Sequence, residues 1–500
     1  MTDQPETTKK QRKGVPIWAL FVIAVAAAGV TFLITMMVGN IGEHKGEANS
    51  TFTQVVTLTD ATYDPAVWGQ NFPREYDGYL ATANFTPTAH NPALVAHETV
   101  PAVGTTWDDT VGFGDDRTQT TASKLDEDPR LVTLWKGYAF SVDYRHLRGH
   151  EWMLEDQQTT LRVLAPRKQP GACLNCHASL PEVLNQINPN DTMAAWADMN
   201  KMTYGQATSL AKGPVGCIDC HDPETMDLRV TRPALINGLA ALKASQGIAD
   251  YDVNRDATTQ EMRSYVCAQC HVEYYMAGDD KTLTFPWAKG TDLDDVWDYY
   301  QEVGFTDFQH AITGANLLKA QHPEFESWSA GVHAANGVTC ADCHMNYQRD
   351  GSQKISNHDV TSPMADVNGT CGVCHTASEQ AIRDRVTTIQ NRFVESRDRA
   401  MDAVTQLIAA IGVAKTDGTP QAQIDLALTY QAKANFYIDY AYSENSYGFH
   451  APDYFQRIIN ESLDASRNGQ LALLGVPADQ LAPSDVTQRN QEGIEESGLK

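Results

Sequence analysis

Cys173-Leu174-Asn175-Cys176-His177, Cys217-Ile218-Asp219-Cys220-His221, Cys267-Ala268-Gln269-Cys270-His271, Cys340-Ala341-Asp342-Cys343-His344 and Cys371-Gly372-Val373-Cys374-His375 decide the class of this chain. Together they consume all ten of its cysteines. Cys-x-x-Cys-His is the spacing of c-type haem attachment. Each thiol adds to one vinyl group of the porphyrin, and the adjacent histidine then lies under the iron as an axial ligand. Zinc sites and redox dithiols also use Cys-x-x-Cys, but neither requires a histidine directly after the second cysteine. Histidine supplies 15 of 500 residues, so five such neighbours by accident have a probability on the order of 10⁻⁸. The motifs therefore predict five covalently bound haem c groups.

Five macrocycles change what the length implies. Five hundred residues ordinarily suggest two to four domains, but each haem is a large apolar body that takes up core volume. We expect one haem-packed region, residues 45–375, followed by a helical region, residues 376–500. Residues 1–44 form a third segment. The net charge of −25 argues against nucleic-acid binding, which needs a basic footprint. It also keeps the protein soluble.

The amino terminus carries Lys9, Lys10, Arg12 and Lys13 ahead of an uncharged run from Val15 to Gly42. Its apolar heart, Ile17 to Val38, is long enough to span a hydrocarbon core of roughly 30 Å as a helix. The basic flank places residues 1–14 in the cytoplasm. A cleaved secretory signal is the alternative, but its apolar region usually covers about 7–15 residues and ends at a small-x-small site. The sequence after Asn40 has no clear site of that kind. An uncleaved signal-anchor is the expectation, and on either reading the remainder is exported to the periplasmic side of the cytoplasmic membrane. In that compartment ten cysteines could form five disulfides; the five adjacent histidines argue against it.

Residues 45 to about 125 are rich in Thr, Ala, Pro, Gly and Asp and read as loops over the haem core. Leu131, Leu134, Trp135, Tyr138 and Phe140 suggest a helix. The first cysteines of the motifs are separated by 44, 50, 73 and 31 residues, which excludes a simple tandem repeat. Beyond the last motif, Ile382, Val386, Ile389, Phe393, Ala400, Val404, Leu407 and Ile411 recur at helical spacing. Lys415–Pro420 breaks that pattern with Gly and Pro. Further helices are predicted from about Gln421 to Ser443 and from about Pro452 to Leu474. The fold class is thus mainly α, a multihaem cytochrome c with a carboxy-terminal hairpin of long helices and few short strands. The apolar stripe of those helices either covers the haem core or makes a dimer.

A haem that only transfers electrons is usually closed by two protein ligands, whereas one that binds a substrate leaves a position open. Besides the five motif histidines there are His44, His90, His97, His146, His150, His310, His322, His333, His358 and His450. By number alone all five haems could be closed. His44, His90 and His97 read as ordinary surface or core histidines. His333 precedes Cys340 by seven residues, His358 falls between the fourth and fifth motifs, and His450 sits in a turn suited to a ligand reaching back from the helices.

Leu134-Trp135-Lys136-Gly137-Tyr138-Ala139-Phe140, Arg148-Gly149-His150, the third motif with Val272-Glu273-Tyr274-Tyr275, Phe285-Pro286-Trp287, Leu318-Lys319-Ala320-Gln321-His322-Pro323-Glu324 and the fourth motif with Met345 stand in an order that resembles the ammonia-forming cytochrome c nitrite reductases. The resemblance runs from about residue 125 to about 470. It implies a six-electron reduction of nitrite to ammonium at an open first haem, with Arg148, Tyr274 and His322 lining the pocket. It implies His150, His333, His358 and His450 as distal ligands of the other four haems. It also implies a calcium ion held by the Glu273 carboxylate, the Tyr274 and Lys319 carbonyls and the Gln321 side-chain oxygen, a set suited to a hard cation. A homodimer and a quinol-oxidising membrane cytochrome as electron donor follow from the same likeness. The family commonly has lysine where this chain has His177; histidine is a sound proximal ligand, as in peroxidases. The competing readings are a membrane-anchored electron conduit with five closed haems, and a reductase of hydroxylamine or sulfite.

Overall fold

A computed structural model describes residues 16–48, 54–165, 169–350 and 353–481. The basic residues before Val15 and the polar tail beyond 481 lie outside the described residues. The chain divides into two units: Met1–Gln54 with Gln348–Ile355, and Val55–Tyr347 with Ser356–Lys500. In the first, a helix covers Ile17–Ala48, and its Ile17–Gly39 portion has a mean hydropathy of 2.6 with none of it buried. That length and composition suit a membrane anchor or a signal segment.

The second unit is mainly helical, and among the described residues of both units there are four two-stranded sheets, three of them antiparallel. Residues 54–125 hold two short helices, Pro65–Trp68 and Pro73–Ala81, and a pair of three-residue strands, Leu94–Ala96 with Gln119–Thr121. The helix expected across Leu131–Phe140 is shorter than its apolar pattern. It covers Arg130–Leu134, and a 3₁₀ turn follows at Ala139–Ser141. Gly137 divides them: its φ is +105°, and a Cβ there would lie 3.1 Å from the Gln309 carbonyl. Only glycine takes that conformation and that approach without strain.

The three long helices occupy Glu379–Ala414, Gln421–Ser443 and Pro452–Leu473. The first begins on Ser378, whose hydroxyl accepts from the Ala381 amide and satisfies one orphan donor. It ends where Gly418 (φ +92°) and Pro420 turn the chain. The middle helix is buried on every side from Ala434 to Ser443, as a helix at the centre of a core must be. Phe393, Phe436 and Phe455, one from each helix, are at most 2% exposed and share a core with Leu131, Trp135, Tyr300 and Leu317. Removing any of these phenyl groups would cost about 3–5 kcal/mol. A second core joins Leu174, Leu180, Trp196, Leu239, Tyr265 and Trp287 around the first three motifs.

The middle helix also carries a buried polar line at steps of four: Gln431, Asn435, Asp439 and Ser443. Asn435 donates to the Leu134 carbonyl at 3.3 Å, and Asp439 and Ser443 receive the Lys319 ammonium at 3.0 and 2.9 Å. One face of one helix thus fixes both the Leu134 turn and the Lys319–His322 segment.

Candidate functional site

None of the ten cysteines is paired in a disulfide, and the residues between them lock the motifs together. Asn175 of the first motif, Asp219 of the second and Gln269 of the third are each at most 1% exposed. Arg232, fully buried, pairs with Asp219 at 3.0 Å and donates to the Asn175 and Ala178 carbonyls. Gln269 accepts from the Arg232 and Thr231 amides and donates to the Asp219 carbonyl. Cys176 lies beside Cys270, and Cys267 beside Cys340. The fourth, third and first motifs therefore touch in that order.

The histidines fit iron ligation. The Nδ1 atoms of His177, His221, His344 and His358 lie 3.0, 2.9, 2.9 and 2.9 Å from the carbonyls of Met153, Met226, Thr361 and Ser356. A carbonyl can only accept, so Nδ1 carries the proton and Nε2 presents its lone pair. Ring centres of His150 and His271 are 6.3 Å apart, those of His221 and His358 6.1 Å, and those of His333 and His375 6.4 Å. An imidazole nitrogen sits about 2.0–2.1 Å from a bound metal and its ring centre about 1.1 Å behind it, so two rings across one metal have centres about 6.2–6.4 Å apart. The three spacings match that separation. His344 and His450 lie near each other: burial first, then the charge of His450, lowers the His344 pKa to about 4. His177 is different. Burial lowers its pKa to about 4, its Nδ1 rests on the Met153 carbonyl, and among the described residues no histidine ring lies opposite it at the spacing of those three pairs, although His322 is near enough to feel its charge.

The remaining histidines have local partners. His90 stacks on Tyr447 with centres 3.7 Å apart, His97 meets Asp115 at 2.7 Å, His146 meets Glu127 at 2.8 Å, and His310 donates to the Thr133 carbonyl at 2.8 Å.

Beside the first motif the structure gathers Tyr274, His322, Tyr138 and Arg162. Burial, and then the neighbouring Cys176 and Cys173, hold the Tyr274 phenol well above its ordinary pKa. His322 is lowered to about 3 by burial, with His271 and His177 among the charges acting on it. Burial thus favours the neutral ring, which has an N–H to offer. The segments carrying these two residues are bound to each other: His322 N donates to Val272 O at 3.3 Å, and Phe325 N to His271 O at 3.0 Å.

Arg148 does not have the place that its motif suggested. Its Nε and Nη2 hydrogen-bond Asp156 at 3.1 and 2.8 Å, Nη2 also reaches Glu155 at 3.3 Å, and the guanidinium lies over the Trp152 ring. Two of its three nitrogens are thus committed to carboxylates. The positive charge acting on Cys173, His177 and Tyr138 is that of Arg162. Arg162 stacks on Phe140 and donates to the Asp143 carbonyl at 2.7 Å, and among the described residues it pairs with no carboxylate. The available signal was distance along the chain: Arg162 precedes Cys173 by 11 residues and Arg148 by 25.

Of the oxygen set expected for calcium, Glu273, Gln321 and the Lys319 carbonyl lie together. Glu273 is 0% exposed; its carboxylate accepts from Gln321 N at 2.6 Å and Tyr300 Oη at 2.9 Å. The Gln321 amide reaches the Lys319 carbonyl at 3.1 Å. Burial first, then the nearby Glu326 and Asp307, push the Glu273 pKa well up. Burial likewise raises Asp307 to about 7 and Glu326 to about 8. The nearest buried ammonium, Lys319, is held by Asp439. Among the described residues no group of three or more acidic, histidine or cysteine side chains could hold a metal ion by itself, so a cation here would rest on Glu273 together with amide and carbonyl oxygens, as a hard cation permits.

With this geometry in hand, the comparisons are consistent. A sequence model of the cytochrome c552 family matches residues 64–497. Cytochrome c-552 of Bacteroides fragilis is 36% identical over 96% of this chain and 90% of its own length. Cytochrome c-552 of Porphyromonas gingivalis is 31% identical over 98% and 94%. Among solved structures, the catalytic subunit of cytochrome c nitrite reductase from Desulfovibrio desulfuricans, which has two calcium sites, superposes with a TM-score of 0.68 at 26% identity over 90% of each chain. Motifs, fold and relatives agree: this chain belongs to the cytochrome c552 family.

Proposed function

We propose that the protein reduces nitrite to ammonium at the first motif, with the other four haems relaying electrons. The balance is NO₂⁻ + 6 e⁻ + 8 H⁺ → NH₄⁺ + 2 H₂O. The observation that carries the proposal is the histidine arrangement: three motif histidines face a second imidazole at 6.1–6.4 Å, whereas among the described residues His177 has no such ring pair. The first haem, when bound, supplies an open iron position and the electrons.

The chain's own residues supply the rest of the site. Arg162, uncompensated by a carboxylate, attracts an anion into an otherwise acidic protein. Tyr274 offers a phenolic O–H, and His322 an imidazole N–H, toward a ligand that gains negative charge as it is reduced. The two are held in mutual register by the backbone bonds between 272 and 325 and by the Asp439–Lys319 pair. Arg148 backs this wall by holding Asp156. Glu273, Gln321 and the Tyr274 and Lys319 carbonyls hold calcium, whose charge adds to that of Arg162.

His150, His358, His333 and His450 serve as distal ligands to the third, second, fifth and fourth motifs respectively. Residues 45–375 act as the catalytic region, and residues 376–500 contribute His450 and the dimer contact. The Ile17–Gly39 helix holds the enzyme on the periplasmic face of the membrane, where a quinol-oxidising cytochrome delivers electrons. Ammonium production from nitrite by the purified pentahaem protein with a low-potential donor tests the proposal. Absence of ammonium with all five haems present would leave the electron-conduit reading in its place.

A further inference from the structure

The second nitrogen of a ligating imidazole governs how strongly the first one donates. Four of the histidines assigned to iron rest Nδ1 on a backbone carbonyl. Two others do not. His271 Nδ1 faces Glu324 Oε2 at 3.8 Å, and His450 Nδ1 stands 2.6 Å from Glu444 Oε1. Both carboxylates are buried, Glu324 at 9% exposure and Glu444 at 2%.

One loop pins both acids. The Asn445 backbone N and Nδ2 donate to Glu324 Oε1 at 3.3 and 2.5 Å. The Ser446 backbone N and hydroxyl donate to Glu444 Oε2 at 3.0 and 2.8 Å. In each case the anchored oxygen is the one turned away from the histidine. The oxygens turned toward it, Glu324 Oε2 and Glu444 Oε1, accept no aligned hydrogen bond from the described residues, and His450 Nδ1 makes none either. Each is left to the imidazole it faces. Glu444-Asn445-Ser446 follows directly on the buried end of the middle long helix, so the loop inherits that helix's rigidity.

We propose that Glu324 and Glu444 are positioning residues whose buried carboxylates, beside His271 and His450, hold the third- and fourth-motif haems at lower reduction potential than the second-motif haem, whose two histidines both rest on carbonyls. A buried negative charge favours the ferric state. The inference rests on the ligand assignments proposed above. Its consequence concerns the route of electrons. The fourth, third and first motifs touch in that order, so the two depressed potentials belong to the last relays before the catalytic site. Each transfer there moves one electron, oxidising the donor iron from Fe(II) to Fe(III) and reducing the acceptor, with no bond made or broken. The electrons come from the low-potential cytochrome donor.

The test is a potentiometric titration of the pentahaem protein, followed by visible absorption and electron paramagnetic resonance without nitrite. In Glu324→Gln the midpoint of one low-spin haem should rise while the other four stay. In Glu444→Gln a different haem should rise, and the double variant should show both shifts. Unchanged midpoints in both single variants would overturn the proposal, as would an equal drift of all five. Should Glu324→Gln fail to load haem, Asn445→Ala keeps both charges but frees Glu324. It should produce a smaller rise in the same haem, and no rise would again overturn the proposal. A wild-type protein lacking four low-spin signals would instead refute the ligand assignments, so the two failures are distinguishable.

Discussion

Replacing Arg162 by alanine separates the two arginines that compete for the anion-facing role. The Arg162 guanidinium makes one backbone hydrogen bond, at 2.7 Å to Asp143, and stacks on Phe140. Its loss should cost the fold only about 1–2 kcal/mol, the value of one charge-assisted hydrogen bond and some stacking. Its charge matters more. Two unit charges about 6–8 Å apart at an effective dielectric near 20 interact by about 2–3 kcal/mol. That corresponds to a fall in kcat/KM for nitrite of roughly 30- to 100-fold. Arg148→Ala should behave differently, because Asp156 keeps Arg117 at 2.5 Å and is not left orphaned. Its turnover should fall by less than about tenfold, the range of a residue acting through a neighbour rather than on the substrate. The assay is ammonium formation at saturating and limiting nitrite with a low-potential dye as donor, after haem content has been shown equal. Arg162→Ala at wild-type kcat/KM, with Arg148→Ala impaired by about two orders of magnitude, would refute the assignment.

Three further outcomes follow from the same geometry. Glu273→Ala should lose bound calcium and most nitrite turnover while retaining five haems; elemental analysis finding calcium unchanged would remove Glu273 from the ligand set. Asp439→Ala strands the buried Lys319 ammonium, so stability should fall by about 3–5 kcal/mol, whereas the double replacement Lys319→Met with Asp439→Leu should recover much of it; denaturant unfolding reads both. Mass spectrometry of the native protein should find residues 17–39 retained, and a mature chain starting near residue 45–50 would mean that the segment is a cleaved signal.

The long helices were legible because their signals are local. The apolar spacing from Ile382 to Ile411, the Gly418 and Pro420 break and the start at Gln421 all lie within a few residues of the features they define. The haem motifs are equally local. What the sequence concealed depends on contacts between distant segments. Leu131–Phe140 has helical spacing, but Gly137 must leave room for Gln309, 172 residues downstream. Arg145 and Arg148 form the conspicuous basic cluster, yet Asp156 and Glu155 neutralise Arg148, while the isolated Arg162 reaches the first motif. The number of histidines allowed every haem to be closed; the ring pairs His150–His271, His221–His358 and His333–His375 appear only in three dimensions. The roles of Asn175, Asp219 and Gln269 were invisible for the same reason, since their partner Arg232 lies 13 to 57 residues away or more than 30 in the other direction.

The central claim is that one iron is open and four are closed by histidine pairs. Electron paramagnetic resonance of the oxidised pentahaem protein tests it most directly. The account predicts one high-spin ferric signal that changes when nitrite is added and four low-spin signals that do not. A spectrum containing five low-spin haems, insensitive to nitrite, would contradict it.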